Sequence, residues 1–239
     1  MPAGECVTPL QNGALVYAWR PAPGHLAAAM ERVRSFRYRF VKRALDVVLS
    51  LVLLITLMPL GLAIALLIVL TSPGPIFYCE ERVGRLRIPF RIVKFRSMCT
   101  PHSTAKLIDI GTVQRIDPLA SRFRKKAHNP RITPVGRVLR RLSLDELPQL
   151  WNVLLGDMSL VGPRPIVEAE RHFYGSSLPF YDLLRPGITG LWQISGRSEV
   201  DYDRRVAFDT DYARQWSCRL DLLILARTIP AVLTMRGAY

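Results

Sequence analysis

The polar and apolar pattern of the chain is dominated by one segment: Val47 to Leu70 is 24 residues without a charge. At about 1.5 Å per residue a straight helix of that length reaches roughly 36 Å, enough to cross the hydrocarbon core of a bilayer. A buried core helix is the alternative, but an uncharged run this long is rare in small soluble domains. Two features argue against a simple crossing. Pro59 lies near the middle, where it removes a backbone donor and clashes with the preceding turn, so a kink is expected. Thr56 is placed to bond a carbonyl freed there. Both flanks are basic: Arg32, Arg34, Arg37, Arg39, Lys42 and Arg43 before, then Arg82, Arg85, Arg87, Arg91, Lys94 and Arg96 after. The positive-inside rule then wants both ends on the same side. The expectation is a re-entrant, helix-break-helix segment over 41–72, with a single crossing as the alternative. Asp46, at the apolar boundary, is within reach of Lys42 or Arg43.

The flanking regions carry weaker patterns. Residues 1–40, rich at first in Pro, Gly and Ala, read as an irregular tail without the short apolar core of a signal peptide. Short strands are expected at Ile76–Cys79 and Phe90–Phe95 around a turn at Gly84. Cys99 to Asn129 is polar, with a basic run at Arg122, Arg124, Lys125 and Lys126. Ile166–Phe173 reads as helix. Arg185 to Gly190 is a turn-rich loop whose glycines would let backbone amides approach a ligand. Phe208, Tyr212 and Trp216 share one helix face and suit core packing. Leu220–Leu233, interrupted by Pro230, is short for a span and suits a buried or interfacial helix. The fold class expected is α+β, mostly helical, with a small sheet.

The chemistry concentrates in Arg140 to Pro165, RRLSLDELPQLWNVLLGDMSLVGPRP. Ser143 with Glu146 matches a capping box ahead of an apolar helical pattern. Capping alone is the bland reading of such acids. Yet Asp145, in the first turn of the expected helix, would be kept ionised by the helix dipole. An ionised Asp can attack phosphorus, and paired carboxylates suit Mg²⁺ shared with substrate phosphates. Neighbouring arginines would neutralise a diphosphate. The net charge of +14 independently points to polyanionic partners: nucleic acid, anionic lipid or phosphorylated substrates. The four cysteines are scattered and suit a reducing compartment. His25, His102, His128 and His172 lie outside the motif, and no Walker loop or GxGxxG is present. The residues alone thus indicate a phosphoryl-transfer enzyme at a membrane surface.

SLDELPQLWNVLLGDMSLVGPRP, with upstream KFRSM (Lys94 to Met98) and downstream RPGITGLWQISGR (Arg185 to Arg197), resembles the bacterial sugar transferase family over about residues 40–239. These are monotopic phosphoglycosyl transferases acting on polyprenyl phosphate. The C-terminal part is similar to the exopolysaccharide-initiating undecaprenyl-phosphate galactose or glucose phosphotransferases. The resemblance implies a re-entrant helix matching Lys42, Arg43, Asp46 and Pro59, placed on the cytoplasmic face of the bacterial inner membrane, and a catalytic domain over 73–239. It implies Asp145 as nucleophile and Glu146 as its acidic partner, both toward Mg²⁺. Hexose-1-phosphate would pass from UDP-galactose or UDP-glucose through Asp145 to undecaprenyl phosphate, with release of UMP. Lys94, Arg96, Arg140 and Arg164 match family cations on the substrate side, and Arg185, Gln193, Gly196 and Arg197 are assigned to it loosely. Asn129-Pro130-Arg131 stands where the family often has Asp-Pro-Arg, so no metal binding is built on it.

Two rival classes remain at this point. A membrane-tethered nucleic-acid binder explains the charge, but no nucleic-acid motif is present and the arginines cluster about carboxylates that would repel a backbone. A non-catalytic scaffold of polysaccharide export would not need Asp145. The identity of the sugar and any homo-oligomerisation are left open.

Overall fold

The computed structural model describes residues 5–9, 15–19, 23–99, 131–195 and 201–233, so the basic run at 122–126, Asn129, Gly196 and Arg197 lie outside the described residues. The irregular tail expected over 1–40 is corrected. Strands β1 (Glu5–Pro9) and β2 (Leu15–Trp19) pair antiparallel, and helix α1 (Pro23–Arg34) follows. The helix opens on a proline, whose fixed φ suits a first turn and whose missing N–H costs nothing there. Ala29 and Val33, four apart on one face, are buried with Tyr38, Tyr212 and Trp216. The alanines that made this stretch look featureless allow that close packing.

A π-helical turn, Arg37–Lys42, leads into α2 (Arg43–Thr71). Helix continues through Pro59 without interruption, so the break expected there does not appear. One missing donor is a local defect, and the turns on either side keep their bonds. The helix is inside-out. Asp46 and Ser50 are buried, while Val48, Leu51, Ile55, Met58, Leu62 and Leu66 are exposed. By length and composition Arg37–Thr71 is apolar enough to cross a membrane. Both its ends, however, are tied to one body. At the start, Arg43 donates to the carbonyls of Val153 and Leu154 (2.5 and 2.7 Å), and Asp46 accepts from Ser159 Oγ and the Leu160 amide (3.1 and 3.0 Å). At the end, Ile64 and Ile68 pack with Phe95 and Leu139.

That body begins with the hairpin β3 (Phe77–Val83) and β4 (Pro89–Phe95), fully registered from Phe77 opposite Phe95 to Val83 opposite Pro89. Helix α3 (Pro134–Arg141) is capped by Thr133 Oγ1, which accepts from the Gly136 amide at 2.9 Å. A short helix α4 (Gln149–Leu155) ends at Gly156, in the left-handed conformation (φ 93°) that stops helices. Strand β5 (Ser159–Val161) pairs parallel with β6 (Gly187–Thr189). Between them the segment Glu168–Ser177 is 3-10 rather than the α-helix expected near it, and α5 (Leu178–Asp182) follows. Helices α6 (Leu191–Ile194), α7 (Tyr202–Gln215) and α8 (Cys218–Leu233) complete the described chain. The mostly helical α+β expectation holds, with three two-stranded sheets among the described residues.

Gly187, expected to offer its amide to a ligand, serves packing instead, together with Gly162. A Cβ on Gly162 would fall 2.4 Å from the Arg185 carbonyl, and one on Gly187 would fall 2.1 Å from the Gly162 nitrogen. Their amides are spent on Thr189 O (2.9 Å) and Pro163 O (2.8 Å). This backbone seam fixes the GPRP loop against β6. Gly187→Ala is expected to cost about 1–3 kcal/mol, seen as a melting temperature several degrees lower in detergent; an unchanged melting curve would mean the seam is not close-packed.

Candidate active site

The helix expected to start at Ser143 starts later. Ser143 takes a left-handed conformation (φ 56°, ψ 20°) and its side chain caps nothing; Leu144–Glu146 is a single 3-10 turn, and α4 begins at Gln149. The expected capping box is therefore absent. Pro148 gives the reason: in a helix opened at Ser143 it would occupy an interior position, without an N–H and with its ring against the preceding turn. Set at the N-terminal edge of α4 it is harmless. Asp145 and Glu146 thus sit on a tight connection between α3 and α4, facing β4.

Cations reach this turn from three directions. From β4, Lys94 Nζ pairs with Glu146 Oε1 at 2.9 Å. From the end of α3, the Arg140 charge acts on Asp145. From the GPRP loop, Arg164 feels the attraction of Glu146 and lies with its guanidinium 5.3 Å from the Trp192 ring centre. Asp145 itself is only 9% exposed. Burial first, then repulsion by Glu146, push its carboxyl up to about 6, against the pull of Lys94 and Arg140. The expectation that a helix N-terminus keeps Asp145 readily ionised is corrected: its charge is raised in energy and balanced by side chains. A poorly solvated carboxylate among cations is suited to attack an electrophilic phosphorus carried on an anion.

Residues 37–235 match the model of the bacterial sugar transferase family. The chain belongs to this family. It is 46% identical over 202 residues to the exopolysaccharide production protein ExoY of Rhizobium meliloti, covering 83% of this chain and 88% of that protein. The UDP-glucose:undecaprenyl-phosphate glucose-1-phosphate transferase of Caulobacter vibrioides is 43% identical over 206 residues, 83% of this chain and 72% of its own length. The undecaprenyl-phosphate galactose phosphotransferase of Salmonella typhimurium is 44% identical over 205 residues, 84% of this chain and 42% of its own.

For this sugar transferase, the structure brings Lys94, Arg140, Asp145, Glu146 and Arg164 together and, among the described residues, places the other expected site residues elsewhere. Arg96 is buried and donates to Ser72 O, Ser72 Oγ and Pro73 O (2.6, 2.8 and 2.5 Å), closing the end of α2. Lys42 is buried on Asp221 (2.8 Å), Val161 O and Tyr212. Arg43 and Asp46 belong to the seating of α2 already described, and Pro59 is exposed in the middle of that helix. Arg185 Nε donates to Gly156 O at 2.8 Å, at the far end of α4 from the carboxylates. Gln193 lies beside the glycine seam with its Oε1 buried and without a hydrogen-bond partner.

Sequence reasoning missed a group behind Arg164. Arg205 lies 5.5 Å from the Trp192 ring and 4.7 Å from the Tyr202 ring, with Glu170 Oε2 at 3.7 Å. Asp209 accepts from the Tyr174 hydroxyl at 2.7 Å, and burial raises its carboxyl to about 6. The aromatic stripe of α7 masked the alternating Arg205 and Asp209 on the same helix, which was the available signal.

Among the described residues no group of three or more His, Cys, Asp and Glu surrounds a common point. Asp145 and Glu146 nonetheless fit Mg²⁺, which takes one or two carboxylates and completes its shell with water and substrate phosphate. The raised carboxyl has a sign that can be checked. Ionising Asp145 costs the folded state more than the unfolded one; the cost is absent below pH 3.8 and full above about 6. Asp145→Asn should therefore leave stability unchanged near pH 4 and raise it at pH 8, by on the order of 2–3 kcal/mol. Thermal melts at the two pH values test this; equal shifts at both would refute the buried-charge account.

Proposed function

We propose that this chain transfers hexose-1-phosphate from a UDP-sugar to undecaprenyl phosphate through a covalent intermediate on Asp145. The observation that carries the reading is the buried Asp145 carboxyl, raised to about 6 and set among Lys94, Arg140 and Arg164. The activities for which the Caulobacter and Salmonella relatives are named supply the donor and acceptor classes.

In the first half-reaction an Asp145 carboxylate oxygen attacks the β-phosphorus of the UDP-sugar. The bond to the bridging oxygen breaks, UMP leaves with that oxygen, and the sugar phosphate is held as an acyl phosphate. In the second, a phosphate oxygen of undecaprenyl phosphate attacks the same phosphorus, frees the carboxylate and gives undecaprenyl-diphospho-sugar. Lys94 orients Glu146 beside the nucleophile. Arg140 and Arg164 supply the positive charge that draws the diphosphate against two carboxylates and offsets charge gathering on the leaving oxygen. Mg²⁺ held by Asp145 and Glu146 would add Lewis-acid neutralisation of the diphosphate.

The two-ended anchoring of α2 supports a monotopic placement on the cytoplasmic face of the bacterial inner membrane. A helix tied at both ends to one polar body cannot carry those ends to opposite sides of a bilayer. Its exposed apolar face would then hold the site level with the phosphate of the membrane-bound acceptor. Product of this kind initiates exopolysaccharide or another surface glycan.

UMP release from UDP-glucose, UDP-galactose and their N-acetylated counterparts, with undecaprenyl phosphate, tests the reading and chooses the sugar. Asp145→Asn and Asp145→Ala should each lower turnover by about a thousandfold or more. Near-normal turnover in either variant would rule out Asp145 as nucleophile.

A further inference from the structure

Four arginines from three separate segments act on one another beside the start of α2. Arg43 and Arg185 both reach the C-terminal carbonyls of α4: Val153 O and Leu154 O for the first, Gly156 O for the second. Gly156 leaves room for this, since a Cβ there would lie 3.3 Å from Arg43 Nη2. Arg85, in the turn between β3 and β4, has its guanidinium carbon 6.0 Å from the Tyr38 ring centre. Arg39, next to Tyr38 on the π-helical turn, lies 5.9 Å from the Phe40 ring. The catalytic carboxylates are at the other end of α4, whose seven residues span about 10 Å.

The Asp46 carboxylate acts on Arg43 but is committed to Ser159 and Leu160. Among the described residues none of the four arginines forms an ion pair with a carboxylate. The carbonyl contacts use two donors of Arg43 and one of Arg185, out of five on each guanidinium. Arg85 Nε is buried and has no hydrogen-bond partner. Burial first holds Arg85 below its ordinary value; Tyr38 opposes this, while the charges of Arg185 and Arg39 add to it. A buried donor without a partner, among like charges, is costly, and a bound anion removes both costs.

The surroundings say what carries the anion. Phe36, Phe40, Leu86 and Ile88 are 69%, 55%, 62% and 64% exposed. Phe36 and Phe40 stack on each other at 4.8 Å. Leu86 and Arg87 hold φ values of 56° and 66°, a conformation that L-residues rarely adopt and that places an apolar tip beside the arginines. The apolar rim continues along the exposed face of α2 at Val48, Leu51 and Val52. Guanidiniums carried on the same segments as exposed aromatic and aliphatic side chains match a phosphate at the boundary of a lipid layer.

We propose that Arg39, Arg43, Arg85 and Arg185 bind the phosphodiester of an anionic membrane phospholipid, whose acyl chains lie against Phe36, Phe40, Leu86 and Ile88. The site is separate from the reaction centre and seats the catalytic body on the bilayer. It rests on the reading that α2 lies in lipid.

Native mass spectrometry of the full-length chain, released from micelles containing equal phosphatidylglycerol and phosphatidylcholine, tests the site. The wild type should retain phosphatidylglycerol preferentially. Arg39→Gln and Arg85→Gln should each reduce the preference about fivefold, and these residues hold no backbone carbonyl, so melting temperatures in lipid-free detergent should match the wild type. An unchanged preference in the double variant overturns the proposal. Displacement of the lipid by inorganic phosphate at matched ionic strength also overturns it, in favour of a free-phosphate site. A fluorophore at Met58→Cys, with the native cysteines replaced by serine, separates the two readings. Quenching by labelled lipid without a phosphatidylglycerol preference sinks the phosphate site alone. No quenching at Met58 sinks the membrane placement of α2 and this inference with it.

Discussion

A negative charge at Asp145 is expensive, and much of the molecule is arranged around that expense. The residue is almost fully buried beside a second carboxylate, and its own 3-10 turn offers no helix terminus to stabilise it. Compensation has to come from elsewhere in the chain. Lys94 depends on the β3–β4 register. Arg140 depends on α3, which presses so closely on the segment just after β4 that a Cβ on Gly136 would meet the Ser97 carbonyl at 2.0 Å. Arg164 depends on the glycine seam between the GPRP loop and β6. Each cation is supplied by a different close backbone contact, so small packing errors far from Asp145 would alter the charge balance at the nucleophile.

The same body holds α2. Lys42 pairs with Asp221 deep in the fold and also donates to the carbonyl of Val161, next to the glycine seam. The Tyr212 hydroxyl donates to Asp221 at 2.7 Å and lies 3.0 Å from the Val161 carbonyl, and Trp216 donates to Asp221. The network links the start of the apolar helix to the strand that carries the Arg164 loop. Polar residues face the protein and leucines face out, the reverse of a soluble core helix. The position of the helix and the position of a substrate-facing arginine are thereby set by one buried network.

Much of this was legible in the sequence, and the exceptions have physical causes. The apolar run and the carboxylate pair among cations stand out because both depend on local composition. The basic strand at Lys94 was also visible, although Arg96, one turn of the pleat away, faces the end of α2. The starting point of the helix was misplaced because Ser-x-x-Glu is a strong local signal and the veto comes from Pro148 five residues on. Basic residues at 42, 43 and 185 were grouped with the membrane or substrate because sequence cannot show that their donors meet the carbonyls of Val161, Val153, Leu154 and Gly156. Arg205 was hidden by the aromatic period of its own helix. For the three basic residues the deciding partners are distant along the chain.

The central claim is that Asp145 becomes covalently loaded. Its most direct test is the intact mass of the protein after incubation with UDP-sugar and Mg²⁺ in the absence of undecaprenyl phosphate. The account predicts an added hexose phosphate, mapped to the peptide containing Asp145, that disappears when undecaprenyl phosphate is supplied. UMP release and product formation with no adduct at any stage, or an adduct that persists in Asp145→Asn, would contradict it.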